Sequence, residues 1–186
     1  MPDSGLQPPL VLSLGRIAVR RHEADDAPAL ARHANDHRVA ANLRDAFPHP
    51  YALANAEQYI AMVRLRTPVT NGLVVVDGEP CGGIGYILHE DVERVGAEVG
   101  YWLGAAYWGQ GVMTTVLPAF ARLVFARHGE LRRLWAAPFA GNAASARVLE
   151  KSGFRLEGTM RQSAIKLGMV HDQRLYALLR DEAPGS

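Results

Sequence analysis

The run Trp108-Gly109-Gln110-Gly111-Val112-Met113-Thr114 has the residue types and spacing of an anion-binding turn. Glycines let backbone N–H groups come close to a bound group, and the first turn of a helix offers four unpaired N–H groups and a partial positive charge. Phosphate is the natural guest. Past Gly111 the apolar residues Val112, Val116, Ala119, Phe120, Leu123 and Val124 recur with the helical period, so the glycines open a long amphipathic helix. No Gly-Lys-Ser/Thr follows, which excludes a P-loop, and the third glycine of a dinucleotide fingerprint is missing. Just upstream, Glu98 interrupts the apolar run 97–103. Alternation places Glu98, Gly100 and Trp102 on one face of that strand and Val99, Tyr101 and Leu103 on the other, which directs the carboxylate at a pocket or a partner. His33 and His37 have the four-residue spacing of metal-binding pairs, but no third ligand accompanies them; they read as two exposed histidines, and no metal is expected. The single cysteine, Cys81, cannot form an internal disulfide and suits packing in an apolar strand.

These residues need elements to position them. Residues 16–21 alternate as a first strand, and Asp25-Asp26 favours a helix through Ala27, Leu30, Ala31 and Ala34 that carries both histidines. Phe47-Pro48-His49-Pro50-Tyr51 is a rigid aromatic loop, because each proline fixes its own backbone and pushes the preceding residue out of the helical region. A second helix runs from about residue 53 to 65 through Ala56, Tyr59, Ile60 and Val63. Leu73 to Val76 and Cys81 to Leu88 form a hairpin with Asp77-Gly78 as the turn signal, and a polar turn leads into the strand 97–103. Residues 131–137 form a strand that can lie parallel to 97–103, because a helix intervenes. Pro138 cannot donate to a ladder, so pairing is expected to fail there and a slot to open. A short helix follows, with Asn142 as N-cap and Gly153 as the C′ residue, and the segment to Leu179 supplies a closing hairpin. This order implies a mixed sheet of mainly antiparallel neighbours.

With 186 residues and a formal net charge of +1, the chain has the size of one domain. The expected division is a loose tail at 1–15, one domain at 16–182 and a short tail at 183–186. The lack of a basic run argues against a nucleic-acid partner. No stretch approaches a membrane span and no basic n-region precedes the first apolar run, so a cytoplasmic protein without a membrane partner is expected.

Two stretches, in the right order, resemble the GNAT superfamily of N-acetyltransferases, and more narrowly its RimJ/RimL-type branch. Residues 108–113 are similar to the pyrophosphate-loop pattern Gln/Arg-x-x-Gly-x-Gly/Ala: Gly111 matches, while Trp108 and Met113 depart in a way common in that branch. Asn142 to Phe154 is similar to Asn-x-x-(Ala/Ser)-x-x-(Leu/Val)-x-x-Lys-x-Gly-Phe. The resemblance covers about residues 16–179.

It implies an α/β (α+β) GNAT fold, in which a mixed, mostly antiparallel central sheet splays between two parallel strands and is flanked by helices. It also implies an N-acetyltransferase that moves an acetyl group from acetyl-CoA to a primary amine, a protein N-terminal α-amine being favoured, by direct attack in a ternary complex. The implied cofactor contacts are Trp108, Gly109, Gln110, Gly111, Val112, Met113 and Thr114 at the pyrophosphate, the backbone of Tyr101, Trp102 and Leu103 along pantetheine, and Asn142. Glu98 is the implied base. Ser145 is the implied thiolate partner, since the position where many relatives carry a tyrosine is Leu149. Phe47, His49 and Tyr51 fall in the segment that walls the acceptor pocket. Homodimers occur among relatives. Two alternatives stay open: a small-amine acetyltransferase acting on an amino acid or an aminoglycoside, and a non-catalytic acyl-CoA sensor.

Overall fold

The computed structural model describes residues 10–183; the expected tail residues 1–9 and 184–186 lie outside them. One eight-stranded sheet organises the chain. Its strands are β1 (Leu12–Leu14), β2 (Ile17–Arg20), β3 (Asn71–Val76), β4 (Glu79–Leu88), β5 (Gly96–Leu103), β6 (Arg133–Ala136), β7 (Arg155–Lys166) and β8 (Met169–Leu179). They lie in the order β1-β2-β3-β4-β5-β6-β8-β7. Every neighbouring pair is antiparallel except β5 with β6. The mixed, mostly antiparallel sheet with one parallel pair expected from the sequence is therefore present. Residues 12–14, expected in the tail, instead pair with β2 through a turn at Gly15, whose φ of 67° suits only glycine without strain.

Among the described residues five α-helices flank the sheet: α1 (Ala27–Ala34), α2 (His37–Ala40), α3 (Leu53–Arg64), α4 (Val112–Arg127) and α5 (Ala143–Lys151). On one face α4 and α5 bury Val112, Val116, Phe120, Val124, Ala146 and Leu149 against Val99, Leu103 and Leu134. On the other, α1 and α3 bury Leu30, Ala56 and Ile60 against Leu73 and Val75. Fully burying one such aliphatic side chain contributes about 1.5–3 kcal/mol, so these two stripes dominate the folding energy. Both hairpin turns follow backbone rules: Asp77 and Gly78 have φ of 51° and 85°, Leu167 and Gly168 of 51° and 76°, the pairs of positive angles that two-residue turns require. Among the described residues no helix is long and apolar enough to cross a membrane.

The single helix expected across residues 27–37 is two. Asn35 leaves helical geometry, and Asp36 caps α2 by accepting from the Arg38 N–H at 2.8 Å. His33 and His37 consequently part. The His33 Nε2 lies 3.0 Å from a Glu79 carboxylate oxygen and its ring packs on Tyr107, so it is not an exposed histidine; His37 packs on His49.

Candidate active site

The parallel pairing of β5 with β6 lasts three residues, Gly96 to Glu98 against Arg133 to Trp135. Beyond it β6 follows β8: the Ala137 carbonyl accepts from the Gln173 side chain at 2.8 Å, and the Pro138 carbonyl from the Arg174 N–H at 3.0 Å. The strands thus part at Trp135, before Pro138, because β8 draws the chain away. β5 continues to Leu103 without a neighbour on that side, which opens a slot.

The orientation of β5 is set by its antiparallel partner. The Gly96 carbonyl accepts from His89 and the Gly104 N–H donates to Cys81, so even-numbered residues turn their backbone groups to β4. Tyr101 and Leu103 turn theirs to the slot. Trp102, expected to line it, faces β4 instead, and its indole lies over Gly83, where a Cβ would meet the ring nitrogen at 2.9 Å.

At the outer end of the slot the glycine loop enters α4. Gly109 and Gly111 have φ of 75° and 76°, Gly111 being the N-cap, and a Cβ on Gly109 would meet nothing within 4 Å. The first N–H groups of α4 have no helical acceptor, and such donors at a glycine turn fit a pyrophosphate. The Thr114 and Thr115 hydroxyls both donate to the Gly111 carbonyl, at 2.8 and 3.0 Å, so the proton expected at a phosphate is directed inward. Trp108 donates its indole N–H to the Leu103 carbonyl at 2.7 Å, and the Arg38 guanidinium sits 5.7 Å above its ring. Arg38, whose guanidinium is held by the Asp36 carboxylate at 2.6 and 3.0 Å, therefore covers the loop from α2. Gln110 accepts from Arg16 at 2.8 Å.

Asn142 caps α5, its side-chain oxygen accepting the Ser145 N–H at 3.0 Å. The helix ends in a Schellman pattern, with Phe154 N–H to Leu149 carbonyl at 3.0 Å, Gly153 N–H to Glu150 carbonyl at 3.1 Å, and Gly153 at φ 90°. The capped first turn holds Ser145 2.9 Å, oxygen to oxygen, from the Tyr101 phenol. Burial pushes the Tyr101 hydroxyl up to about 12, a rise the Ser145 bond partly offsets.

The opposite face of β5 carries Glu98. Arg44, from the chain between α2 and α3, donates to its carboxylate at 2.5 Å. The Arg44 side chain is 71% exposed and that of Glu98 19%, so the carboxylate is sheltered and its cation can swing into water. Next to Arg44, Asp45 accepts from the Lys166 ammonium at 2.8 Å, tying the same segment to the tip of the β7–β8 hairpin. Gly100, between Glu98 and Trp102, is exposed, and a Cβ there would meet nothing within 4 Å. An uncovered spot is thus left over the middle of the sheet. Phe47 borders it, its ring 5.4 Å from that of Trp102. Tyr51 is instead buried with α1 and α3, and His49 is turned to His37. Of the three expected acceptor residues, Phe47 reaches Trp102 directly, and Tyr51 packs behind Phe47 with the two rings 4.9 Å apart.

Residues 16–155 match the family described as Acetyltransferase (GNAT) domain. The chain belongs to the GNAT family. The ribosomal-protein-serine acetyltransferase of Escherichia coli (strain K12) is 35% identical over 109 residues, 59% of this chain and 60% of that protein. The chain thus spans about 60% of that curated relative's length. Among solved structures, the ribosomal alpha-N-protein acetyltransferase RimL in complex with coenzyme A superposes with a TM-score of 0.80 at 24% identity, over 92% of this chain and 99% of that one. RimJ of Mycobacterium smegmatis, in complex with CoA-disulfide, superposes with a TM-score of 0.79 at 23% identity, over 91% and 85%. At these identities the likeness is one of fold.

Within the GNAT frame, sequence reasoning missed Arg44, Asp45, Lys166 and the Tyr101 hydroxyl. Arg44 and Glu98 are 54 positions apart, and no local pattern announces such a pair. The alternation of residues 97–103 did assign Tyr101 and Glu98 to opposite faces; what it lacked was the position of α5 above one of them.

Proposed function

We propose that this GNAT protein transfers the acetyl group of acetyl-CoA to a primary amine, with a protein N-terminal α-amine as the favoured acceptor. The observation that carries the reading is the placement of Glu98 on one face of β5 and Ser145 with Tyr101 on the other, beside the point where β5 and β6 part. A group lying in the slot is in the plane of the sheet, so a side chain from each face can reach it.

Bound acetyl-CoA supplies a thioester carbonyl for the amine to attack. The N–H groups at the start of α4 hold the pyrophosphate, and Tyr101 offers its backbone groups and Leu103 its N–H along the slot, where one N–H polarises the carbonyl. Asn142, whose carbonyl oxygen is engaged by the cap, keeps its amide N–H groups for the cofactor. The amine enters over Gly100. Glu98 takes its proton directly or through a water once Arg44 has swung aside, and Ser145 donates a hydrogen bond to the departing sulfur. The protein acceptor is supported by the name of the Escherichia coli relative and by the aromatic border that Phe47 and Trp102 form beside the uncovered Gly100.

The test is release of CoA thiol from acetyl-CoA with N-terminal peptides, free amino acids, polyamines and aminoglycosides. Turnover on peptides is expected, with a fall of roughly a hundredfold in kcat for Glu98→Gln and for Ser145→Ala. Turnover confined to aminoglycosides or amino acids would move the acceptor to small amines. Binding of acetyl-CoA without turnover on any acceptor would leave a sensor.

A further inference from the structure

Tyr101 enters the proposed reaction so far only through its backbone, yet its phenol makes the most direct contact with Ser145. We propose that Tyr101 is a positioning residue: its hydroxyl donates to Ser145 and turns the serine proton toward the slot, where the sulfur of CoA departs. This rests on the transferase reading above.

The hydrogen bonds around Ser145 support that direction of donation. Its N–H is taken by Asn142 at 3.0 Å. Its carbonyl, in the first turn of α5, receives the Leu149 N–H by helix geometry and makes only a longer hydrogen bond with the phenol, 3.3 Å against 2.9 Å for the hydroxyl. The better-placed acceptor for the phenol proton is therefore the serine hydroxyl. Burial keeps the phenol protonated throughout the working range, so it never becomes an acceptor-only phenolate that would hold the serine proton to itself. A serine that accepts from Tyr101 has its own proton free for a second partner, and Ser145 is half-buried, leaving one side open. A chain of two such bonds polarises along its length.

The balance of the step is simple. The N–C bond forms, the C–S bond breaks with its electron pair on sulfur, and the amine proton goes to Glu98. Ser145 and Tyr101 keep their protons, because an alkoxide and a phenolate are both more basic than a thiolate. Their part is to stabilise the thiolate by a hydrogen bond whose direction Tyr101 sets.

The experiment follows the ultraviolet absorbance of the thiolate as CoA bound to the protein is titrated with pH, for wild type, Tyr101→Phe, Ser145→Ala and the double variant. It needs no acceptor. In the wild type the bound thiol is expected to titrate below its value in either single variant, with the double variant equal to Ser145→Ala. In turnover, Tyr101→Phe should lower kcat roughly tenfold, the upper end of what one neutral hydrogen bond is worth, with KM for acetyl-CoA unchanged. A merely structural tyrosine would move melting temperature and KM and leave the thiol titration alone. If Ser145→Ala shifts the titration and Tyr101→Phe does not, the positioning role is overturned while the transferase reading stands. If neither variant shifts it, the role of Ser145 falls as well. If wild type binds no CoA, the transferase reading fails first and carries this inference with it.

Discussion

The two faces of β5 are built in different ways. On the side proposed for the cofactor, the working groups are mostly backbone: the N–H groups from Gly109 to Thr114, those of Tyr101 and Leu103, and a short capped helix. On the side proposed for the acceptor they are side chains from distant segments, with Arg44 on Glu98, Asp45 on Lys166 and Phe47 against Trp102. A backbone site depends on a few special dihedral angles and tolerates most side-chain changes. A side-chain site can be altered one residue at a time without disturbing the sheet. The first arrangement suits a ligand that does not change, the second a specificity that does.

The sharpest way to break this contrast is Gly111→Val. A β-branched residue at φ 76° meets left-handed strain of about 1–2 kcal/mol and distorts N–H groups whose bonds to a charged phosphate are worth another 1.5–3 kcal/mol. CoA affinity is expected to fall about a hundredfold by titration calorimetry, at unchanged circular dichroism. An unchanged affinity would show that the loop does not hold the pyrophosphate.

The scaffold of the acceptor side carries an acid-sensitive group. His22 is 5% exposed, packs edge-on against Tyr59 of α3, and is lowered to about 4, chiefly by burial. The unfolded chain, with His22 near 6.5, then binds more protons than the folded one between pH 6.5 and 4. Stability contributed by the neutral ring is complete above pH 6.5 and falls as the pH drops to 4, by about 3 kcal/mol in total. Denaturant unfolding of His22→Phe should show a correspondingly shallower loss across that window; an equal slope in both proteins would remove His22 as its source.

Gly100→Val places a side chain over the uncovered middle of the sheet, where its Cβ meets nothing within 4 Å. The expected result is a rise of about tenfold in acceptor KM with acetyl-CoA affinity unchanged, as for the loss of about 1.4 kcal/mol on one side only. A matching loss of acetyl-CoA affinity would mean that the two sides are not separable. The smallest effect is expected for Arg44→Ala. The pair it forms with Glu98 is mostly solvated on the arginine side, a class worth about 0–1 kcal/mol, so stability should barely move. Its signature is a lower acceptor KM for cationic peptides, because the amine no longer has to displace a guanidinium; a raised KM would make Arg44 a substrate contact.

Legibility in the sequence follows the same division. The glycine loop, the Asn142 cap, the Gly153 termination and the Asp77-Gly78 turn each depend on residues within one turn of one another, so short-range rules found them. The early strand at residues 12–14 escaped because three residues carry too little pattern, and the break at Asn35 because helix period continues across it in the sequence. Proximity along the chain groups Tyr51 and His49 with Phe47; packing keeps Tyr51 against Phe47 but buries it, and turns His49 to His37.

The sequence by itself determined the family, the order of the elements, the αL glycines that shape the loop and the opposite facing of Glu98 and Tyr101, since all of these are set by local backbone preference and strand alternation. Tertiary structure alone decided that β8 draws β6 away at Trp135, that Trp102 turns its backbone to β4, and that Arg44 and Ser145 meet Glu98 and Tyr101. Those partners lie 54 and 44 positions apart, and only the packing of helices on both faces of the sheet brings them within hydrogen-bonding distance.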